Sequence, residues 1–195
     1  MKKIWPLLFI SLALFSPIAC KQKKKPKPEN ERFFPVLSFI KSQVAQVDTS
    51  LYAIRKITFI DSVRADTAYY PREQFRELAK DFLNIPDLAD SKYEDRFTEK
   101  NTFDETMNRV ILTCEPVNPV KEELQRQEVL IRPDPSGDKV TSIIIERLVN
   151  TKDSLVQKRM LWQVDKSFQV TTIKQLPGQP ETSSTFRVIW NEDNE

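Results

Sequence analysis

Residues 155–173 read LVQKRMLWQVDKSFQVTTI, two runs of alternating polarity on either side of a short polar turn. Val156, Met160, Trp162 and Val164 fall on one side of the first run, and Phe168 and Val170 continue that side in the second. Gln157, Arg159, Gln163, Gln169 and Thr171 take the other side, interrupted by Leu161. Successive side chains of a strand point to opposite faces, so this pattern describes antiparallel strands with one buried and one wet face. The turn Asp165-Lys166-Ser167 is short enough to join them directly.

The same pattern extends in both directions. Strands are expected at Met107–Cys114, Glu128–Arg132, Val140–Val149, Leu155–Val164, Phe168–Ile173 and Thr185–Trp190, the last adding Phe186, Val188 and Trp190 to the rich face. Polar turns such as Asp134-Pro135-Ser136-Gly137-Asp138 and Pro177-Gly178-Gln179-Pro180 separate them and contain both glycines of the chain. Upstream, Pro35 suits the first position of a helix running to about Val47, with Phe33, Leu37, Ile40, Val44 and Val47 at helical spacing. Leu51 to Ile60 reads as a strand. A second helix opens at Pro71, carries Phe75, Leu78, Ala79, Phe82 and Leu83 as one stripe, and stops at Asn84 and Pro86. The expected fold is α+β: two N-terminal helices with an intervening strand, packed on an antiparallel meander of about six to seven strands. Asp87 to Glu105 is charged and poorly periodic, with Tyr93, Phe97 and Phe103 to pin it down, and reads as a packed excursion or a lid.

Composition narrows the chemistry. The chain has no histidine, which removes Ser-His-Asp and Cys-His catalysis, histidine-ligated zinc and the usual proton shuttle near neutral pH. It has no glycine-rich phosphate loop either. Asp134, Ser136 and Asp138 faintly resemble a calcium loop, but they lie between two expected strands and read as a hairpin turn. Asp104 with Glu105, or Glu122 with Glu123, are adjacent carboxylates that a strand directs to opposite faces, which makes them solvated surface groups. No catalytic residue, metal site or cofactor is expected, and the chain is read as a non-enzyme. Cys114 alternates with Val110 and Leu112 and reads as a small buried hydrophobe. Arg159, Gln163, Gln169 and Arg187 share the polar side of the sheet and form the one candidate binding face for an acidic or peptide-like ligand.

The N-terminus supplies an address. Lys2 and Lys3, the apolar run Leu7 to Phe15 and the segment Pro17-Ile18-Ala19-Cys20 resemble the signal and lipobox of bacterial lipoproteins, although Pro17 stands where that family prefers leucine. The apolar run is shorter than the about 20 residues a membrane span needs. The resemblance implies removal of residues 1–19 and acylation of Cys20 by a diacylglycerol and an amide-linked chain such as palmitate. Lys21, rather than aspartate, after the cysteine implies the outer membrane, and the run Lys21-Gln22-Lys23-Lys24-Lys25 implies its periplasmic leaflet. Residues 20–31 are then a basic disordered tether and residues 32–195 a single domain. The charge count supports that division. The chain carries 30 basic and 28 acidic residues, but from Glu29 onward the count is 23 against 28, a mildly acidic domain with no nucleic-acid footprint.

Two functions follow as expectations. The first is a membrane-anchored, non-enzymatic module of the cell envelope that binds an envelope protein or polymer. The second is a carrier holding a small apolar ligand between sheet and helices, with Trp162, Phe168, Phe186 and Trp190 lining its pocket.

Overall fold

The computed structural model describes residues 33–51 and 53–191. Helix α1 (Val36–Thr49) follows Pro35 and buries Val36, Ile40, Val44 and Val47, a spacing that keeps one stripe on the core. It stops at Ser50, whose hydroxyl and N–H both bond the Val47 carbonyl.

Nine strands follow: β1 (Ile54–Phe59), β2 (Ala65–Tyr70), β3 (Phe97–Asp104), β4 (Arg109–Pro116), β5 (Leu124–Arg132), β6 (Lys139–Asn150), β7 (Leu155–Gln163), β8 (Ser167–Gln175) and β9 (Thr182–Ile189). They form one antiparallel sheet in the order β2-β1-β9-β8-β7-β6-β5-β4-β3. Strands β3 to β9 are a continuous meander, and the β1–β2 hairpin joins it because β1 pairs with β9. Pro116 closes β4 beyond its last pair with β5, Cys114 with Gln127, where a missing N–H costs no ladder bond.

The α+β expectation is corrected on two counts. The protein is mostly β, with nine strands instead of six to seven. The second helix is also not a single helix. A 3-10 turn (Arg72–Gln74) leads into two one-turn segments, α2 (Phe75–Leu78) and α3 (Lys80–Leu83), which meet at Ala79 with φ −87° and ψ 4°. At that break the Phe82 N–H bonds Ala79, three residues back instead of four. Phe75, Ala79 and Phe82 still reach the core through these short turns, so the apolar stripe is satisfied without a regular helix. The strands absent from the sequence reading are β2 and β3, the two edges. Every residue of β2 except Tyr70 is exposed, and β3 buries only Phe97 fully, so neither shows the alternation that betrays a half-buried strand.

The stretch from Asp87 to Glu105 is packed in its first half and a strand in its second. Leu88, Ala89 and Phe97 are buried, and Ser91–Tyr93 forms a 3-10 turn capped by Asp90. Because all neighbouring strands are antiparallel, their connections alternate between two ends of the sheet. One end carries the β3–β4, β5–β6 and β7–β8 turns; the other carries the β1–β2, β4–β5, β6–β7 and β8–β9 connections, and the chain from β2 to β3 runs from the first end to the second.

Candidate functional site

The aromatic side of the sheet is filled. Trp162 and Phe168 are wholly buried and stack at 5.3 Å with an interplanar angle of 12°. Phe82 meets both edge-on at 5.1 and 5.3 Å, and Phe75 meets Trp190 at 5.1 Å. These separations are those of favourable aromatic pairs, so the rings occupy one another's space. Phe186, at the margin, carries the Lys56 ammonium 4.8 Å above its ring. The Trp162 Nε1–H is buried without a hydrogen-bond partner among the described residues.

The register brings the four polar candidates onto the opposite face. Gln169 faces Leu161 on one side and Arg187 on the other, while Arg159 and Gln163 flank Leu161 on β7. Two of the four are already engaged. Arg159 pairs with Glu146 at 3.2 Å, and the Ser167 hydroxyl donates to Gln163 Oε1 at 2.7 Å. Arg187 is half-buried, and its Nε–H has no hydrogen-bond partner among the described residues. Ile144, Leu161 and Ile57 share their row across the sheet, which makes this face less polar than the alternation implies.

Four of the acidic candidates are spent on structure, while Glu105 and Asp138 are exposed. Asp134 Oδ1 accepts from the Ser136 hydroxyl at 2.5 Å and from the Ser136 N–H at 2.9 Å, and its second oxygen takes the Lys139 ammonium at 3.0 Å, which together hold its carboxyl well below the usual range. That turn closes over Gly137 at φ 124°, a conformation glycine adopts without strain. Glu122 binds Arg96 through two bonds of 2.8 and 2.7 Å, Glu123 binds Arg147 at 2.7 Å, and Asp104 binds Arg109 at 3.1 Å. Among the described residues no group of three or more metal-ligating side chains converges. Cys114 is buried, and burial first, then the Glu99 carboxylate beside it, pushes its thiol up to about 12. It is therefore a neutral thiol throughout the ordinary pH range. Cys20 lies outside the described residues.

The two edges of the sheet differ. The Trp190 N–H bonds the Lys166 carbonyl at 3.1 Å, and alternation from that pair turns Thr185, Arg187 and Ile189 of β9 toward β1. It follows that Asp66, Ala68 and Tyr70 of β2 bond β1, while Ala65, Thr67 and Tyr69 present their N–H and C=O groups outward. The Ile60 N–H to Arg64 carbonyl bond of 3.0 Å continues the same phase. On β3, the Val117 N–H to Arg96 carbonyl bond sets Phe97, Glu99, Asn101 and Phe103 outward. Strand β3 carries Glu99, Lys100 and Asp104, and Glu99 points to the core side beside Cys114; charges so placed blunt an edge. Strand β2 has a single charge, Asp66, and no lysine or proline. Its hairpin also exposes Phe59, Ile60, Val63 and Tyr69. The sequence reading missed this edge. The signals available were the turn residues Asp61 and Ser62, followed by the β-favouring Thr67, Tyr69 and Tyr70.

A cleft of about 790 Å3 opens at the end of the sheet that carries the β5–β6 and β7–β8 turns. Arg132, Lys139 and Lys166 line it with the single carboxylate Asp165 and the amides of Gln43 and Gln163. Phe39, Val140 and Val164 supply apolar wall.

No family model, curated protein or solved structure matches this chain.

Proposed function

We propose that this protein is a non-enzymatic module of the cell envelope, held on the periplasmic leaflet of the outer membrane by acylated Cys20, which binds an envelope protein by accepting one of its strands at β2. The observation that carries the reading is the unguarded β2 edge, with three outward sets of main-chain groups beside an exposed apolar hairpin tip. Strand addition draws affinity from such main-chain bonds and specificity from the side chains that alternate beside them. The lipobox-like segment ending at Cys20 supports the anchor, and the missing histidines support a binding role over catalysis.

The two halves of the reading have separate tests. Mass spectrometry of the native N-terminus should find an acylated Cys20, and an unmodified mature N-terminus would refute the anchor. For the edge, a photo-crosslinking side chain at Thr67 should give a discrete adduct in cells, and one at Thr171 in the sheet interior should not. In the companion variant Thr67→Pro the outward N–H is gone and the adduct from a crosslinker at Tyr69 should vanish. An undiminished adduct there would overturn strand addition.

A further inference from the structure

We infer that the cleft between α1 and the β5–β6 and β7–β8 turns is an oxyanion site for a phosphate group. Arg132 and Lys139 are direct cross-strand partners in the β5–β6 register. Like charges placed opposite each other destabilise a sheet unless an anion shares them. Asp134 takes up Lys139 at 3.0 Å, and Arg132 has no side-chain partner among the described residues. Lys166 enters the same cleft from the β7–β8 turn, likewise unpaired, so beside the Lys139–Asp134 pair two cations without partners face the carboxylate of Asp165.

The uncharged groups in the cleft are biased the same way. Gln43 Oε1 accepts from the Asp165 N–H at 3.0 Å, and Gln163 Oε1 accepts from the Ser167 hydroxyl at 2.7 Å. With both carbonyl oxygens used, each amide keeps its NH2 as a donor. The cleft therefore offers donors and cations and little to attract a cation. A guanidinium matches the paired oxygens of a phosphate, and ammonium groups add point charge around it. The apolar wall of Phe39, Val140 and Val164 accommodates carbon attached to that phosphate. Two sources share this chemistry: a phospholipid headgroup and a soluble phosphate.

The site is independent of the strand-addition reading, because it lies at the opposite end of the sheet from the β1–β2 tip. The test uses the full chain in a neutral detergent, titrated calorimetrically with inorganic phosphate and, separately, with micelles doped with phosphatidylglycerol. Saturable binding in at least one arm is expected, weakened about tenfold in Arg132→Gln and in Lys166→Gln, the loss typical of one charged hydrogen bond. Binding of phosphate alone assigns a soluble ligand, and binding of doped micelles alone assigns a headgroup. Arg132 is exposed and Lys166 half-buried, and neither gives up a side-chain partner, so the melts should match wild type; if one variant melts lower, the other carries the test. Absence of binding in both arms would overturn the proposal. So would micelle binding that both variants retain, since that binding would belong to Lys21 to Lys27 of the tether.

Discussion

The centre of the sheet and its β2 edge are built from the same kind of pairing and held for different reasons. Strands β7, β8 and β9 bond a neighbour on both sides and bury one face against α1, α2 and α3, so their stability comes from the aromatic cluster of Trp162, Phe168, Phe75 and Phe82. Strand β2 has one neighbour, buries almost nothing and hangs on its main-chain bonds to β1. The difference separates scaffold from surface: change at the centre is felt as stability, and change at the outward side of the edge as recognition.

The largest expected effect tests the centre. Trp162→Ala should destabilise by about 3–5 kcal/mol, a large share of the ~5–15 kcal/mol of a typical domain. Trp162→Phe should be far milder, because it also removes an indole N–H that is buried without a partner among the described residues. Denaturant unfolding measures both. A near-neutral Trp162→Ala would mean that the aromatic face is not a dry core and would break the comparison at its stronger side.

The edge makes an opposite pair of predictions one residue apart. Ala68 bonds β1, so Ala68→Pro should remove a ladder bond and cost about 1–3 kcal/mol. Thr67 faces outward, so Thr67→Pro should leave the melt nearly unchanged. Equal losses at both positions would show that the pairing phase is wrong.

Cys114 sits between these extremes, on β4 one strand in from the β3 edge, and is buried. Thiol reagents should label it slowly in the native protein and rapidly in denaturant. Its raised pKa also fixes a sign. The folded state favours the neutral thiol, so this contribution is intact below the ordinary value of 9.0 and is lost as pH rises from there toward about 12. Alkaline melts of wild type and Cys114→Ala should converge over that window; parallel curves would contradict it.

What could be read from the sequence follows the same division. The strands around Trp162 announce themselves because burying one face forces alternation, and the residues of that face, Met160, Trp162, Phe168, Val170 and Val188, are buried. The edges carry no such pressure. Ala65 to Tyr70 and Phe97 to Asp104 do not announce themselves as strands because a strand largely wet on both faces leaves only propensity as its signal. The helical stripe at Phe75 to Leu83 misled for a related reason: periodicity records which side chains are buried, and three short turns bury them as well as one helix does. The cleft was invisible because Gln43, Arg132 and Lys166 come together only through the register and the packing of α1. Of the polar-face residues, the alternation placed all four on one side and could not reveal that Glu146 and Ser167 engage two of them.

The smallest effect belongs to the hairpin tip, and it sharpens the edge side of the comparison. Val63 is 90% exposed, so Val63→Ser removes almost no buried area and should change stability by no more than about 0.5 kcal/mol. The tip is shaped by Asp61 instead. Its Oδ1 accepts from the N–H groups of Val63 and Arg64 at 2.9 and 2.8 Å, and its Oδ2 accepts from Arg64 Nε at 2.7 Å. Those bonds, the Val63 N–H first, hold the Asp61 carboxyl below its ordinary 3.8, so its small contribution is present above that pH and is lost as pH falls below it. Asp61→Ala should therefore speed hydrogen exchange at the Val63 and Arg64 amides without a global change, whereas Val63→Ser should leave those amides as they are. If Val63→Ser instead lowered the melt by more than that margin, the tip would be packed against another part of the chain and the free edge would have to be given up.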